Sequence, residues 1–256
     1  MINDVQSETS CAVGYRKMTY IIRKRTGKHV NRKRVLSLMR RHGMLSAVRR
    51  KQYSDEVYLK RRQMKGTEPP DLINRWFFSL SPRTLFAEDI TYLFYLGGTL
   101  YLNTIIDLFN KQVVAWLWGD RPDSDLCEDT VRKLAASCDL RGTVIHSDHG
   151  SSYNSWSYRQ LLKDLGVRQS CGTKADCYDN AAMESFNGIL KAEGLYNKFG
   201  KTKILNHRIE REDIIARVEW FIPWYNNVRP KKDLGGLSPE EFLERNPKGT
   251  YPVLIS

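Results

Sequence analysis

Residues 84–120 read TLFAEDITYLFYLGGTLYLNTIIDLFNKQVVAWLWGD. Three runs rich in β-branched and aromatic residues are separated by Gly97-Gly98 and by Asn110-Lys111. Runs of that composition favour pleated, half-buried strands, and breaks that short leave room only for tight turns. The stretch therefore predicts three successive strands folded as an antiparallel meander. An aspartate stands inside each of the first two, Asp89 and Asp107. A carboxylate in a strand otherwise built for burial needs a partner or a purpose, so both are candidates for chemistry.

Beyond the meander, helical and strand patterns alternate. SDLCEDTVRKLAASCD reads as a helix capped by Ser124 or Asp125, and TVIHSDHG as a short buried strand with a polar end. SYRQLLKDLG is a helix and VRQSC a strand. NAAMESFNGILKAEGLY and REDIIARVEWFIPWY are two more helices. Three antiparallel strands followed by α/β crossovers predict an α/β protein with ribonuclease-H-like topology.

Upstream, residues 14–42 carry two short amphipathic helices. Met18, Ile21 and Ile22 recur at helical spacing in the first. Asn31 suits the N-cap of the second, and Val30 can staple onto Val35. Val35, Leu38 and Met39 form its buried stripe, and Gly43 ends it. Arg32, Lys33, Arg34, Arg40 and Arg41 are left outside. Two helices joined by a tight turn, the second one basic, predict a small all-α, helix-turn-helix-like DNA-binding module. Two helices alone bury little, so the module needs neighbouring segments. The expected organisation is this module over residues 1–50, a basic linker over 51–74 and an α/β core with a C-terminal helix over 75–246. A tail follows over 247–256.

The formal net charge of +12 is unevenly placed. Arg16 to Lys65 holds 18 basic residues against two acids, Asp55 and Glu56, while the remaining chain holds 23 bases against 27 acids. A basic head on a mildly acidic body points to a polyanion, with double-stranded DNA the expected partner. No apolar run approaches the ~20 residues of a bilayer span, and the first residues lack the basic-then-apolar pattern of a secretory leader. The expectation is a cytoplasmic protein, with the nucleoid when DNA-bound and with no membrane partner. Five cysteines without a CxxC pair argue for reduced thiols and against a zinc knuckle.

Two further acids matter. Asp148 ends the TVIH strand, at the strand terminus where open α/β sheets bind ligands. Glu184 follows after 35 intervening residues, on a helix whose Ala182, Phe186, Ile189 and Leu190 make the buried face. Glu184 lies about 200° round from Phe186, and Lys191, two turns on, shares its face. Three acids brought together repel one another unless cations lie between them. Oxygen donors suit Mg²⁺, with Mn²⁺ able to substitute, and two such ions serve in-line attack on a phosphodiester. Lys191 would then hold a DNA phosphate. Arg229 and Lys231 are further phosphate-contact candidates, with a plain solvated turn equally open. Taken singly, each acid also fits a cap or a surface site, and Asp107 rivals Asp89 for the first position. His146 and His149 flank Asp148 as candidates for ordering water or touching phosphate. Asn154 fits a turn as well as a DNA contact.

HSDHGSSYNS, CYDNAAMESFNGILKAE and WYNNVRPKKDLGGLSPEEF together resemble insertion-sequence transposases that share the retroviral-integrase-like DDE core. The resemblance extends from GYRKMTYIIRKRTGKHVNRKRVLSLMRRHGM to LSPEEFLERNP, nearly the whole chain. It is nearest to the branch encoded by two overlapping reading frames, with this chain similar to the frame-B product. The resemblance assigns Asp89, Asp148 and Glu184 as catalytic, metal-holding acids and Lys191 as the base that follows them. It implies Mg²⁺-dependent strand cleavage and strand transfer, a homo-oligomer on DNA and a frame-A partner or fused A–B product. One feature departs from the family pattern. Glu88 stands where a threonine is usual before the first acid, and Phe86 stands where a tryptophan is usual upstream. Strand alternation sends Glu88 to the face opposite Asp89. Two other readings stay open at this stage. One is a DNA-binding remnant or regulator without catalysis, which Glu88 slightly favours and the intact Asp89, Asp148 and Glu184 argue against. The other is a two-metal nuclease of the same fold.

Overall fold

A computed structural model describes residues 1–8, 14–45, 69–172 and 180–249. The chain divides into two compact units, Met1–Gly66 and Thr67–Ser256. Most of the expected linker, and the tail from residue 250, lie outside the described residues.

Among the described residues the first unit holds three helices: α1 (Ile2–Glu8), α2 (Tyr15–Thr26) and α3 (Arg32–Arg41). The helix α1 was not expected, and it answers the shortage of apolar surface. Its Val5 joins Met18, Ile22, Val35 and Met39 in one buried cluster. Asn31 caps α3 by accepting from the Lys33 amide at 2.8 Å. Val30 packs on the same cluster as Val35, while Leu38 is only half-buried. Gly27 ends α2 with φ +67, a left-handed conformation that glycine adopts without penalty. Arg32, Lys33, Arg34, Arg40 and Arg41 are all exposed.

The second unit is built on a five-stranded sheet: β1 (Leu85–Tyr95), β2 (Gly98–Asp107), β3 (Val113–Gly119), β4 (Val144–Ser147) and β5 (Arg168–Cys171). The strand order is β3-β2-β1-β4-β5. The first three strands pair antiparallel, as the meander requires, and β4 and β5 add in parallel. The helix α4 (Ser124–Ala135) links β3 to β4, and α5 (Trp156–Asp164) links β4 to β5. After β5 come α6 (Ala181–Ile189), a π-helical segment (Leu190–Tyr196), two short helical turns, then α7 (Arg211–Asn227) and α8 (Pro239–Arg245). The cap of α4 is Asp123, whose carboxylate accepts from the Leu126 amide, and not Ser124 or Asp125.

Alternation along β1 divides the core. Phe86 faces Cys127, Val131 and Leu134 of α4 and Tyr158 and Leu162 of α5. Ala87 faces Met183 and Phe186 of α6 and Val218 and Phe221 of α7. Both faces of the sheet are therefore covered, and a buried side chain of this size stabilises by about 1.5–3 kcal/mol. The π-helical segment presses closely on α7. A Cβ at Gly194 would come within 3.1 Å of the Phe221 ring, and Arg217 Nε donates to the Gly194 carbonyl at 2.7 Å. No helix among the described residues is long and apolar enough to cross a membrane.

Candidate active site

The β1–β4 register decides which acids meet. Ala87 pairs with His146 in parallel, so Asp89 and Asp148 each stand two residues beyond the same rung. β4 ends at Ser147, which releases Asp148 at the mouth of the sheet. There Asp148 Oδ1 accepts from the Gly150 amide at 2.7 Å. A Cβ at position 150 would lie 2.8 Å from that oxygen, so a side chain there would force the carboxylate to move.

The helix carrying Glu184 is fastened to β1 just beyond that rung. Asn180, at its N-terminus, donates to the Glu88 backbone carbonyl at 3.1 Å. One turn after Glu184, Asn187 donates from Nδ2 to Asp89 Oδ2 at 2.7 Å. Glu184 itself is exposed, as its angular distance from Phe186 predicts. The fully buried set on α6 is Met183, Phe186 and Asn187, where Ala182 and Ile189 are half-buried. Asn187 is the site residue that sequence reasoning passed over. Its signal was its position, three after Glu184 and four before Lys191 on the same helical face.

Burial pushes the Asp89 carboxyl up to about 7, and the negative charge of Asp148 adds to this, with a smaller push from Glu184. The Ile90 backbone amide and the charge of Lys191 act on the same carboxyl in the opposite sense. Lys191 Nζ stands 4.4 Å from the centre of the Tyr92 ring, and burial lowers its own pKa. Among the described residues, Thr104, the cross-strand partner of Asp89, is fully buried and its Oγ1 meets no hydrogen-bond partner. Asn187 Oδ1 is likewise buried and unpartnered. Carboxylates whose negative charge is crowded in this way suit a hard divalent cation. Among the described residues, no three His, Cys, Asp or Glu side chains converge as a finished ligand cage. The buried Asp89 feels the charge of Asp148 and, less strongly, that of the exposed Glu184.

The remaining candidates separate cleanly. Asp107 is wholly buried and accepts from the amides of Phe109 (2.9 Å) and Arg83 (2.8 Å), a turn-fixing role. His146 is buried with Nδ1 2.9 Å from Ser170 Oγ. Asn154 donates to the Gly150 carbonyl and accepts from Arg159, so it ties the loop after Asp148. Arg229 grips Glu193 with two bonds of 2.6 and 2.7 Å, and Lys231 is buried with Nζ on the Tyr225 hydroxyl at 3.0 Å. Both are engaged within the fold. Trp116 and Trp118 share Glu219 as acceptor, and Trp220 stacks on Trp224 with one face exposed.

Glu88 lies on the opposite face from Asp89, fully buried. Its carboxylate accepts from Asn103 Nδ2 at 2.6 Å and from the Tyr158 hydroxyl. Burial pushes its carboxyl up to about 7 against those two bonds.

A β3-β2-β1-β4-β5 sheet, three antiparallel strands extended by two parallel ones with helices on both faces, is a ribonuclease-H-like fold of the integrase-core type. Comparison with known proteins agrees. Residues 81–177 and 165–239 match two models of the integrase core domain, and residues 2–52 match the model of an HTH-like domain. The chain is 30% identical over 243 residues to the putative transposase InsK of insertion sequence element IS150 from Escherichia coli K12. That match covers 94% of this chain and 81% of that protein. It is 34% identical over 222 residues to the transposase InsF of insertion sequence IS3A from the same strain, covering 86% of this chain and 73% of that one. In fold it is similar to a chain of the simian T-cell lymphotropic virus intasome in complex with PP2A regulatory subunit B56 gamma. The TM-score is 0.54 at 17% identity, over 94% of this chain and 74% of that one. This chain belongs to the family of insertion-sequence transposases with an integrase core.

Proposed function

We propose that this chain cleaves DNA and transfers strands at the ends of an insertion sequence, with Asp89, Asp148 and Glu184 as its catalytic acids. The observation that supports the assignment of residues is the last rung of β1 and β4, Ala87 with His146, from which Asp89 and Asp148 each stand two residues on, together with the push of the Asp148 charge on the buried Asp89 carboxyl. In the first reaction, water adds to phosphorus and the 3′-oxygen leaves. In the second, that freed 3′-hydroxyl adds to a phosphodiester of the target, and another 3′-oxygen leaves. Asp89, Asp148 and Glu184 would hold divalent cations, Mg²⁺ or Mn²⁺ and two in number. Bound there, these would lend Lewis-acid stabilisation to the charge that develops on the phosphoryl oxygens.

The chain's own residues supply the frame. Asn187 orients Asp89, and Gly150 orients Asp148. Lys191, on the helical path beyond Glu184, holds a non-reacting phosphate of the bound strand. The exposed Arg32, Lys33, Arg34, Arg40 and Arg41 of the N-terminal unit grip the DNA backbone. Arg229 and Lys231 extend that contact only where their remaining donors reach past Glu193 and Tyr225. The working assembly is an oligomer on double-stranded DNA, completed by a frame-A protein or a fused product. Residues 1–50 form the binding module and 75–246 the catalytic core.

The test is a cleavage-and-joining assay on labelled DNA carrying the element's end, with Mg²⁺ or Mn²⁺. Glu184→Gln should lower both products by about 10²–10³-fold while DNA binding persists. Nicking without joining would make the chain a nuclease. Binding with neither product would make it a DNA-binding remnant.

A further inference from the structure

We infer that Glu88 is a positioning residue, a buried tie that sets where Asp89 stands relative to Asp148. The inference rests on the active-site reading above and concerns a residue whose side chain never enters that site. Glu88 is a charged-type side chain with no solvent exposure, a costly placement unless its oxygens are bonded. Both are. Oε1 accepts from Asn103 of β2, and Oε2 accepts from Tyr158 of α5. Its backbone carbonyl, on the edge of β1 that β4 leaves open, accepts from Asn180 at the start of α6.

Each of those partners leads to the site. Asn103 sits one residue from Thr104, which pairs across the sheet with Asp89. Tyr158 belongs to the first turns of α5, directly after the loop that carries Asp148. Its ring meets that of Tyr153 from the same loop, with centres 5.8 Å apart. Tyr153 in turn stands against Gly150, whose amide holds Asp148. Asn180 begins the helix of Glu184 and Asn187. One residue of β1 thus touches the neighbouring strand and both site-bearing connections, directly beside Asp89. β4 pairs with β1 only as far as Ala87, so no ladder bond from β4 holds the acid-bearing rung. The Glu88 bonds take over where that ladder stops. The glutamate at this position is therefore a fastening of the site.

The test is Mn²⁺ binding by the full chain without DNA, read from the signal of free Mn²⁺ in electron paramagnetic resonance. Glu88→Gln keeps the length and both hydrogen-bonding positions, and should bind within about twofold of wild type. Glu88→Thr removes both ties, and Tyr158→Phe removes one with almost no change of shape. Loss of a supporting partner around a metal site costs roughly 10–100-fold in affinity. Glu88→Thr should therefore fall by about tenfold, and Tyr158→Phe by a smaller factor. If Glu88→Thr fails to fold, Tyr158→Phe alone decides. Unchanged Mn²⁺ affinity in the folded variants overturns the inference. So does a Glu88→Gln variant as weak as Glu88→Thr, because charge and not fastening would then be at work. Wild-type protein that binds Mn²⁺ yet cuts no DNA would instead refute the transposase chemistry and leave the tie standing.

Discussion

Replacing Asp89 by asparagine should stabilise the metal-free protein while destroying its activity. Asparagine keeps an oxygen for the Asn187 bond and removes the charge. In the fold, burial and the neighbouring Asp148 lift this carboxyl from 3.8 to about 7. At about 1.4 kcal/mol per pH unit, keeping it ionised there costs about 4 kcal/mol that the unfolded chain does not bear. The sign follows from linkage. Between pH 4 and 7 the folded state holds a proton that the unfolded state has released, so wild-type stability falls as pH rises. Above pH 7 the penalty is complete. The advantage of Asp89→Asn should thus be near zero at pH 4, partial at pH 5.5 and about 4 kcal/mol at pH 8. For a unit of this size that corresponds to a melting temperature roughly 10 °C higher. Differential scanning calorimetry in EDTA across that pH range measures it. Adding Mg²⁺ at pH 8 should raise the wild-type transition and leave the variant where it was. A variant no more stable than wild type at pH 8, with no pH dependence in the difference, would refute the crowding of charge on which the site assignment leans.

Three further outcomes are expected. Asn31→Ala should cost α3 about 1 kcal/mol through the lost bond to the Lys33 amide, seen as roughly fivefold faster hydrogen exchange confined to the first unit. Arg229→Ala should lower the stability of the second unit by about 1 kcal/mol or less. Its pair with Glu193 is well formed but partly solvated, and denaturant titration would register the change. Lys191→Gln should reduce the slope of log affinity for duplex DNA against log salt by about one, measured by fluorescence anisotropy. An unchanged slope would confine Lys191 to neutralising Asp89.

Much of the site was legible in the chain because its logic is local. The meander follows from residue type and turn length, and Glu184 faces outward because a helix turns about 100° per residue. Glu88 and Asp89 part to opposite faces because strands alternate. Other features were not local. The choice between Asp89 and Asp107 depends on which strand β4 pairs with, and only the parallel rung of Ala87 and His146 answers that. Asn187 looked like one more polar helix residue until the packing of α6 on β1 brought it to Asp89. Arg229 and Lys231 looked like free cations, but their partners, Glu193 and Tyr225, come from elements brought alongside by the fold. The cap of α4 was misplaced by a residue or two because three adjacent polar residues each suit the role.

By itself, then, the amino-acid order determined the element types, the α/β order, the basic helices of the first unit and the acids available for chemistry. Those properties arise from short-range sterics and the period of apolar residues. Tertiary structure decided which acids stand near one another past the last β1–β4 rung, which cations are already engaged and which partners a buried glutamate finds beside Asp89. These depend on side chains far apart in the chain, such as Glu88 with Tyr158 and Asp89 with Asn187. Strand register and helix packing bring such pairs together, and no local pattern encodes them.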